Sequence, residues 1–162
     1  MGQAREIMDR VTAAVLAGDR AALEELYAPD AVGESADQPR LEGAAAIVDW
    51  LLAFRRAIPD MAFESLTKYE AGDVAIDEGY LAGTHTGVLS APDGDVAPTG
   101  NRLRLRQCDV LTVADGRAVA HHFYFDQLEF LTQLGLLPPE AAAGAVPRPR
   151  AGADAPSKAT VR

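Results

Sequence analysis

The 162-residue chain has a single cysteine, Cys108, only two lysines, Lys68 and Lys158, and only one tryptophan, Trp50. A lone cysteine rules out an internal disulfide and any cysteine-based metal cluster, and it suits a reducing cytoplasm. No stretch approaches the roughly 20 unbroken apolar residues that would cross a bilayer. The opening MGQAREIMDR is too polar for a secretory signal, and Glu6 stands where a myristoylation pattern needs Ser or Thr. A net charge of −9 argues against nucleic-acid binding, which relies on clustered Lys and Arg. There is no HExxH, no Gly-rich phosphate loop and no serine elbow, and His85, His121 and His122 do not have metal-ligand spacing. No metal, cofactor, nucleic acid or membrane is therefore expected. The preference for arginine over lysine, with abundant alanine, fits a bacterial high-GC coding bias.

What is present divides into a domain, 1–137, and an Ala/Pro-rich tail, 138–162. The tail has no aromatics and cannot offset its ordering entropy, so it is expected to be disordered. Its four basic and two acidic residues give +2, leaving −11 for the rest. Ile7, Val11 and Val15 recur at helical spacing until Gly18, and Asp19 can cap a second helix, 20–27. Ala28-Pro29-Asp30 breaks that helix. A third helix follows Gly43, with Ile47, Trp50, Leu51, Phe54 and Ile58 on one side, and Pro59 stops it. Strands are predicted over 61–69, 74–83, 102–113 and 118–125, with a long loop at 90–101 and a short helix bearing Leu128, Leu131 and Leu134. Helices first and an antiparallel sheet later give an α+β class.

Strand 102–113 carries the chemistry. Its odd positions, Leu103, Leu105, Gln107, Asp109, Leu111 and Val113, should face inward, with Arg102, Arg104 and Arg106 outward. A carboxylate on an apolar face is costly unless it is paired. A three-residue loop at 114–116 would set Asp109 opposite His121, Gln107 opposite Phe123, Leu111 opposite Val119 and Leu105 opposite Phe125. On the outer face it would pair Arg104 with Asp126 and Arg106 with Tyr124. A two-residue Asp115-Gly116 turn would instead set Leu105 against Asp126 and mix the two faces. The first register predicts a buried Asp109–His121 pair that favours the imidazolium and can move protons near neutral pH. The same pair could serve only to fix register. Trp50, Phe54, Phe123 and Phe125 are candidates to line a ligand cavity or simply to fill the core. His85, between glycines, could meet a ligand at the pocket mouth or serve the bend. His122 should point outward.

Gly83-Thr84-His85-Thr86-Gly87, Pro98-Thr99-Gly100, Asp115-Gly116-Arg117, Tyr124-Phe125-Asp126-Gln127 and Gln133-Leu134-Gly135-Leu136 together resemble the SnoaL-like polyketide cyclases of the nuclear-transport-factor-2-like (NTF2-like) superfamily. The resemblance spans roughly 3–138. It implies a cone in which N-terminal helices pack on a curved, mostly antiparallel sheet around an apolar pocket, and it implies a homodimer through the outer sheet face. It also implies cofactor-independent ring closure or isomerisation of a hydrophobic, polyketide-like carbonyl compound. Gln107 falls on the family glutamine and Asp109 on the family histidine. Phe123 falls on the family acid/base aspartate, Val15 and Trp50 on pocket positions, and Gly33 near a family asparagine. On this view Asp109, His121 and Gln107 are the catalytic candidates, and Val15, Trp50, Phe54, His85, Phe123 and Phe125 bind substrate. Phe123 in place of the aspartate equally suits a non-catalytic binding protein. Epoxide-hydrolase-like hydration in the same pocket is a further alternative.

Overall fold

The structure, a computed structural model, describes residues 2–91 and 94–137. The expected tail, 138–162, lies outside those residues.

Helix α1 runs Gln3–Ala17 and ends at Gly18, whose φ of 70° closes it in the left-handed conformation. Its first turn is capped from across the fold. The Glu70 carboxylate accepts the backbone N–H of Gly2 at 2.7 Å and of Arg5 at 2.9 Å. The short α2, Arg20–Leu26, is capped by Asp19, which accepts the N–H of Ala22 at 3.1 Å. Helix α3, Ala44–Ala57, buries Ile47, Val48, Leu51 and Leu52, and α4, Gln127–Gln133, is capped by Asp126.

Between α2 and α3 the chain forms β1, Tyr27–Ser35, and β2, Gln38–Glu42. The sequence-based expectation had no strands here. Pro29, Gly33 and Pro39 dilute the alternation that marks a strand. After α3 come β3, Ala62–Ala71, and β4, Val74–Thr84. The expected loop 90–101 contains part of a small hairpin, β5 Leu89–Ala91 and β6 Gly94–Val96. The long strands β7, Arg102–Ala114, and β8, Arg117–Phe125, complete the main sheet. Its order is β2-β1-β8-β7-β4-β3, antiparallel except for the β1–β8 pair.

The β7–β8 hairpin corrects the expected register. Asp115 (φ 50°) and Gly116 (φ 77°) form a two-residue turn of the mirror-image type, so Ala114 pairs with Arg117. A regular ladder from that turn would mix apolar and polar faces. A bulge prevents this: Val113 pairs with Ala118, Thr112 with Ala120, and Val119 is left over. Beyond the bulge, Leu111 faces His121, Asp109 faces Phe123 and Gln107 faces Phe125. The hydrophobic pattern of β8 explains the bulge, because Phe123 and Phe125 must share the face of Leu105 and Leu111 to leave water. The expected Asp109–His121 partnership is therefore displaced by two residues, although both side chains keep the inward face. The outer-face pairs change too. Arg104 binds Glu64 at 2.9 Å and lies over the Tyr80 ring, and Arg106 pairs with Glu78.

Two apolar clusters fill the space between helices and sheet. One joins α1, α2 and α3 to β1, β7 and β8, and the other joins the end of α3 to β4, β7 and α4. Gly79 and Gly83 let the edge of the sheet close in. A Cβ on Gly79 would lie 2.3 Å from the Glu64 carbonyl oxygen, and one on Gly83 would lie 2.3 Å from Ile58.

Candidate active site

A cavity of about 80 Å³ lies where the two clusters meet. Helix α1 contributes Val11, Thr12, Val15 and Leu16, and α3 contributes Trp50, Leu51 and Phe54. Gln107, Asp109, His121, Phe123 and Phe125 come from the inward faces of β7 and β8. Among the described residues no Arg, Lys or Glu is in the wall, and Asp109 is its one acid. The aromatic side is tightly built: ring centroids are 4.7 Å apart for Trp50 and Phe123 and 3.9 Å apart for His121 and Phe123.

Three polar groups occupy one wall. Gln107 donates its side-chain N–H to Asp109 Oδ2 at 3.0 Å, and Asp109 Oδ1 has no partner among the described residues. Burial pushes the Asp109 carboxyl up to about 7, with a further contribution from the Asp77 carboxylate, while the Gln107 bond opposes the shift. Such an acid exchanges its proton near neutral pH.

His121 is 2% exposed, and burial, reinforced by His122, pulls its imidazole down to about 3. The expected imidazolium is therefore overturned: His121 is neutral because desolvation dominates its surroundings. Its Nδ1 lies 2.6 Å from the hydroxyl of Tyr27, which is fully buried at the start of β1. Burial and the Asp109 carboxylate hold the Tyr27 phenol well above its ordinary range, so it keeps its proton. When the phenol donates to Nδ1, the neutral ring carries its proton on Nε2. Nε2 has no partner among the described residues. In that tautomer the wall combines a proton-exchanging acid with a neutral N–H donor. The two residues sit on one face as diagonal neighbours, roughly 7–8 Å apart along the backbone.

Of the residues singled out from sequence, Val15, Trp50, Phe54, Gln107, Asp109, His121, Phe123 and Phe125 line the cavity. His85 does not. It is 0% exposed and sits beneath the segment that follows β6, where its Nδ1 accepts the Thr99 N–H at 3.3 Å. That bond places it with the bend. His122 faces outward beside Tyr124, and Gly33 is packed against Ile47. Sequence reasoning missed Tyr27, which lies at the helix-to-strand junction. It also missed Asp77, although the alternation of Ala75, Asp77, Gly79 and Leu81 marks it as inward in the same way as Asp109.

A family model described as the SnoaL-like domain matches residues 8–121. The chain belongs to the SnoaL-like family. Solved structures agree with this SnoaL-like fold. A candidate SnoaL-like polyketide cyclase from Jannaschia sp. CCS1 superposes with a TM-score of 0.73 at 19% identity, covering 84% of this chain and 94% of that one. IdmH, a candidate polyketide cyclase from Streptomyces antibioticus, gives 0.65 at 26% identity, covering 83% and 99%. An LEH-like epoxide hydrolase from M. tuberculosis gives 0.63 at 18% identity, covering 90% and 97%. No curated protein sequence matches. The family fold holds small-molecule pockets, and no helix among the described residues of this SnoaL-like chain is long and apolar enough to cross a membrane.

Proposed function

We propose that this SnoaL-like protein is a cofactor-independent cyclase or isomerase that acts on an uncharged, hydrophobic carbonyl compound. The observation that carries the reading is the pairing of an Asp109 carboxyl near neutrality with a neutral, Tyr27-anchored His121 in one apolar cavity. Asp109 Oδ1 removes a proton from the carbon beside a carbonyl, and the electrons of the broken C–H bond move onto the carbonyl oxygen. His121 Nε2–H donates to the enolate oxygen as its charge develops. In ring closure the enolate carbon attacks a second carbonyl of the same molecule, and Asp109 returns the proton to the new alkoxide. In isomerisation the proton returns to a different carbon. Gln107 fixes the carboxylate, and the aromatic wall folds the substrate.

Hydration of an epoxide is less well supported, because Arg102, Arg104 and Arg106 are exposed on the outer face. A purely binding role is favoured by Phe123, which fills the family aspartate position with a ring packed on Trp50. The protein is further proposed to be cytoplasmic and to form a homodimer through the outer sheet face, where Tyr124 is 56% exposed. A sedimentation series showing monomer at every concentration rejects the dimer.

The test of catalysis needs no knowledge of the substrate. Hydrophobic aryl ketones and β-diketones are incubated with the protein in D2O, and exchange beside the carbonyl is followed by proton NMR. Asp109→Asn should slow exchange about 10²–10⁴-fold. Exchange unaffected by Asp109→Asn overturns the assignment. Ligand-induced thermal stabilisation with no exchange supports the binding role.

A further inference from the structure

We propose that Arg5 is a positioning residue for this site: by pairing with Asp77, the cross-strand neighbour of Asp109, it keeps Asp109 able to release its proton. The catalytic significance rests on the function proposed above, but the electrostatic arrangement does not. In the β4–β7 ladder Asp77 stands directly opposite Asp109, and both face inward. Two carboxylates at adjacent buried positions cannot both ionise without a cation. Arg5, on the first turn of α1, supplies it. Its Nη2 lies 3.0 Å from Asp77 Oδ2 and 2.9 Å from Asp9 Oδ1, and its Nη1 donates to the Ile76 carbonyl. Arg5 is 5% exposed and Asp77 1%, so this pair is shielded from solvent. Ser65 completes it by donating its hydroxyl to Asp77 Oδ1 at 2.9 Å.

Among the described residues, the other groups around Asp109 carry no compensating charge. Gln107 on its own strand is neutral, and β8 presents Phe123 and the neutral His121. Tyr27 on β1 keeps its proton. Lys68 on β3 reaches Asp9 on the far side of Arg5. Arg5 is therefore the cation that offsets Asp77. Without it, the Asp77–Asp109 pair would hold a shared proton to higher pH, and a protonated Asp109 is no base. Arg5 is not among the residues that line the cavity, and it acts through Asp77.

The test is a pH titration of the aspartate carboxyl carbons by 13C NMR, with the Asp109 signal identified by its loss in Asp109→Asn. Asp77→Asn should move the Asp109 midpoint down by about one pH unit, and Arg5→Gln should move the midpoint of the pair up by a similar amount. Arg5→Lys, which keeps the charge, should stay close to the parent. Arg5→Gln in an Asp77→Asn background should have little further effect, since the residue through which Arg5 acts is then neutral. A merely structural role would displace both single variants in the same direction. Movement in the same direction, or no movement in either Asp77→Asn or Arg5→Gln, overturns the proposal. If Arg5→Gln does not fold, Arg5→Met, which keeps the apolar stem and removes the charge, takes its place: a raised midpoint supports the proposal and a parental midpoint overturns it. Because no turnover is measured, loss of the catalytic reading and loss of this one remain distinguishable.

Discussion

The opposed displacements of Asp109 and His121 predict an unusual pH dependence of stability, which Asp109→Asn should unmask. Asp109 is pushed from 3.8 up to about 7, so between those values the folded chain binds its proton more tightly than the unfolded chain. Stability therefore falls as pH rises through that window, at about 1.4 kcal/mol per pH unit. His121 is pulled from 6.5 down to about 3, so between pH 3 and 6.5 the unfolded chain binds the extra proton and stability rises with pH at the same rate. From pH 3.8 to 6.5 the two slopes cancel in the parent. Asp109→Asn removes only the falling slope. Its stability relative to the parent should grow by about 3–4 kcal/mol across that interval and level off above pH 7. Groups common to both proteins drop out of the difference. The assay is urea denaturation at half-unit steps from pH 4 to 8, comparing midpoints at matched m-values. Parallel profiles for parent and Asp109→Asn would refute the inference that Asp109 is ionised against the cost of burial.

Three further outcomes follow from the geometry. Tyr27→Phe removes the hydroxyl bonded to His121 Nδ1 and leaves that buried atom unpaired, so stability should drop by about 1–3 kcal/mol and the Nε2–H tautomer should lose its dominance; denaturation and 15N NMR of the ring read the two effects. Trp50→Ala removes the ring against Phe123 and opens the cavity, costing about 2 kcal/mol and shifting thermal-shift responses toward bulkier aryl ketones. Gly79→Ala drives a Cβ toward the Glu64 carbonyl and should destabilise the β3–β4 pair by about 2–3 kcal/mol, read as faster amide exchange along β3.

The helices were legible because their signals are local. The stripe of Ile7, Val11 and Val15, the glycine at 18, the Asp19 cap and the Gly43–Pro59 brackets each act within a turn of the helix they define. The inward face of β7 was legible for the same reason, since alternation survives any register. The partner of Asp109 was not, because register depends on a turn and a bulge together, and each alone gives the wrong answer. Strand β1 was hidden by Pro29 and Gly33. Its pairing with β8 is long-range and parallel, and leaves no trace in the segment itself. The charge of His121 escaped for a physical reason: adjacency to a carboxylate suggests an imidazolium, whereas complete burial beside a phenol makes a neutral ring.

The Asp115-Gly116 turn and the extra Val119 behave like two compensating frameshifts in a text. The turn is one residue short for the faces to fall in phase, and the bulge inserts the missing letter before His121 is reached. Ironing the bulge out would carry Phe123 and Phe125 to water and bring Tyr124 inward. It would still deliver an imidazole to the wall, because His122 stands next to His121. Lengthening the turn by one residue while deleting Val119 would leave every pairing beyond Ala120 as it is. The hairpin tip can therefore change length in evolution without disturbing the chemistry further along the strand, provided the two joints change together.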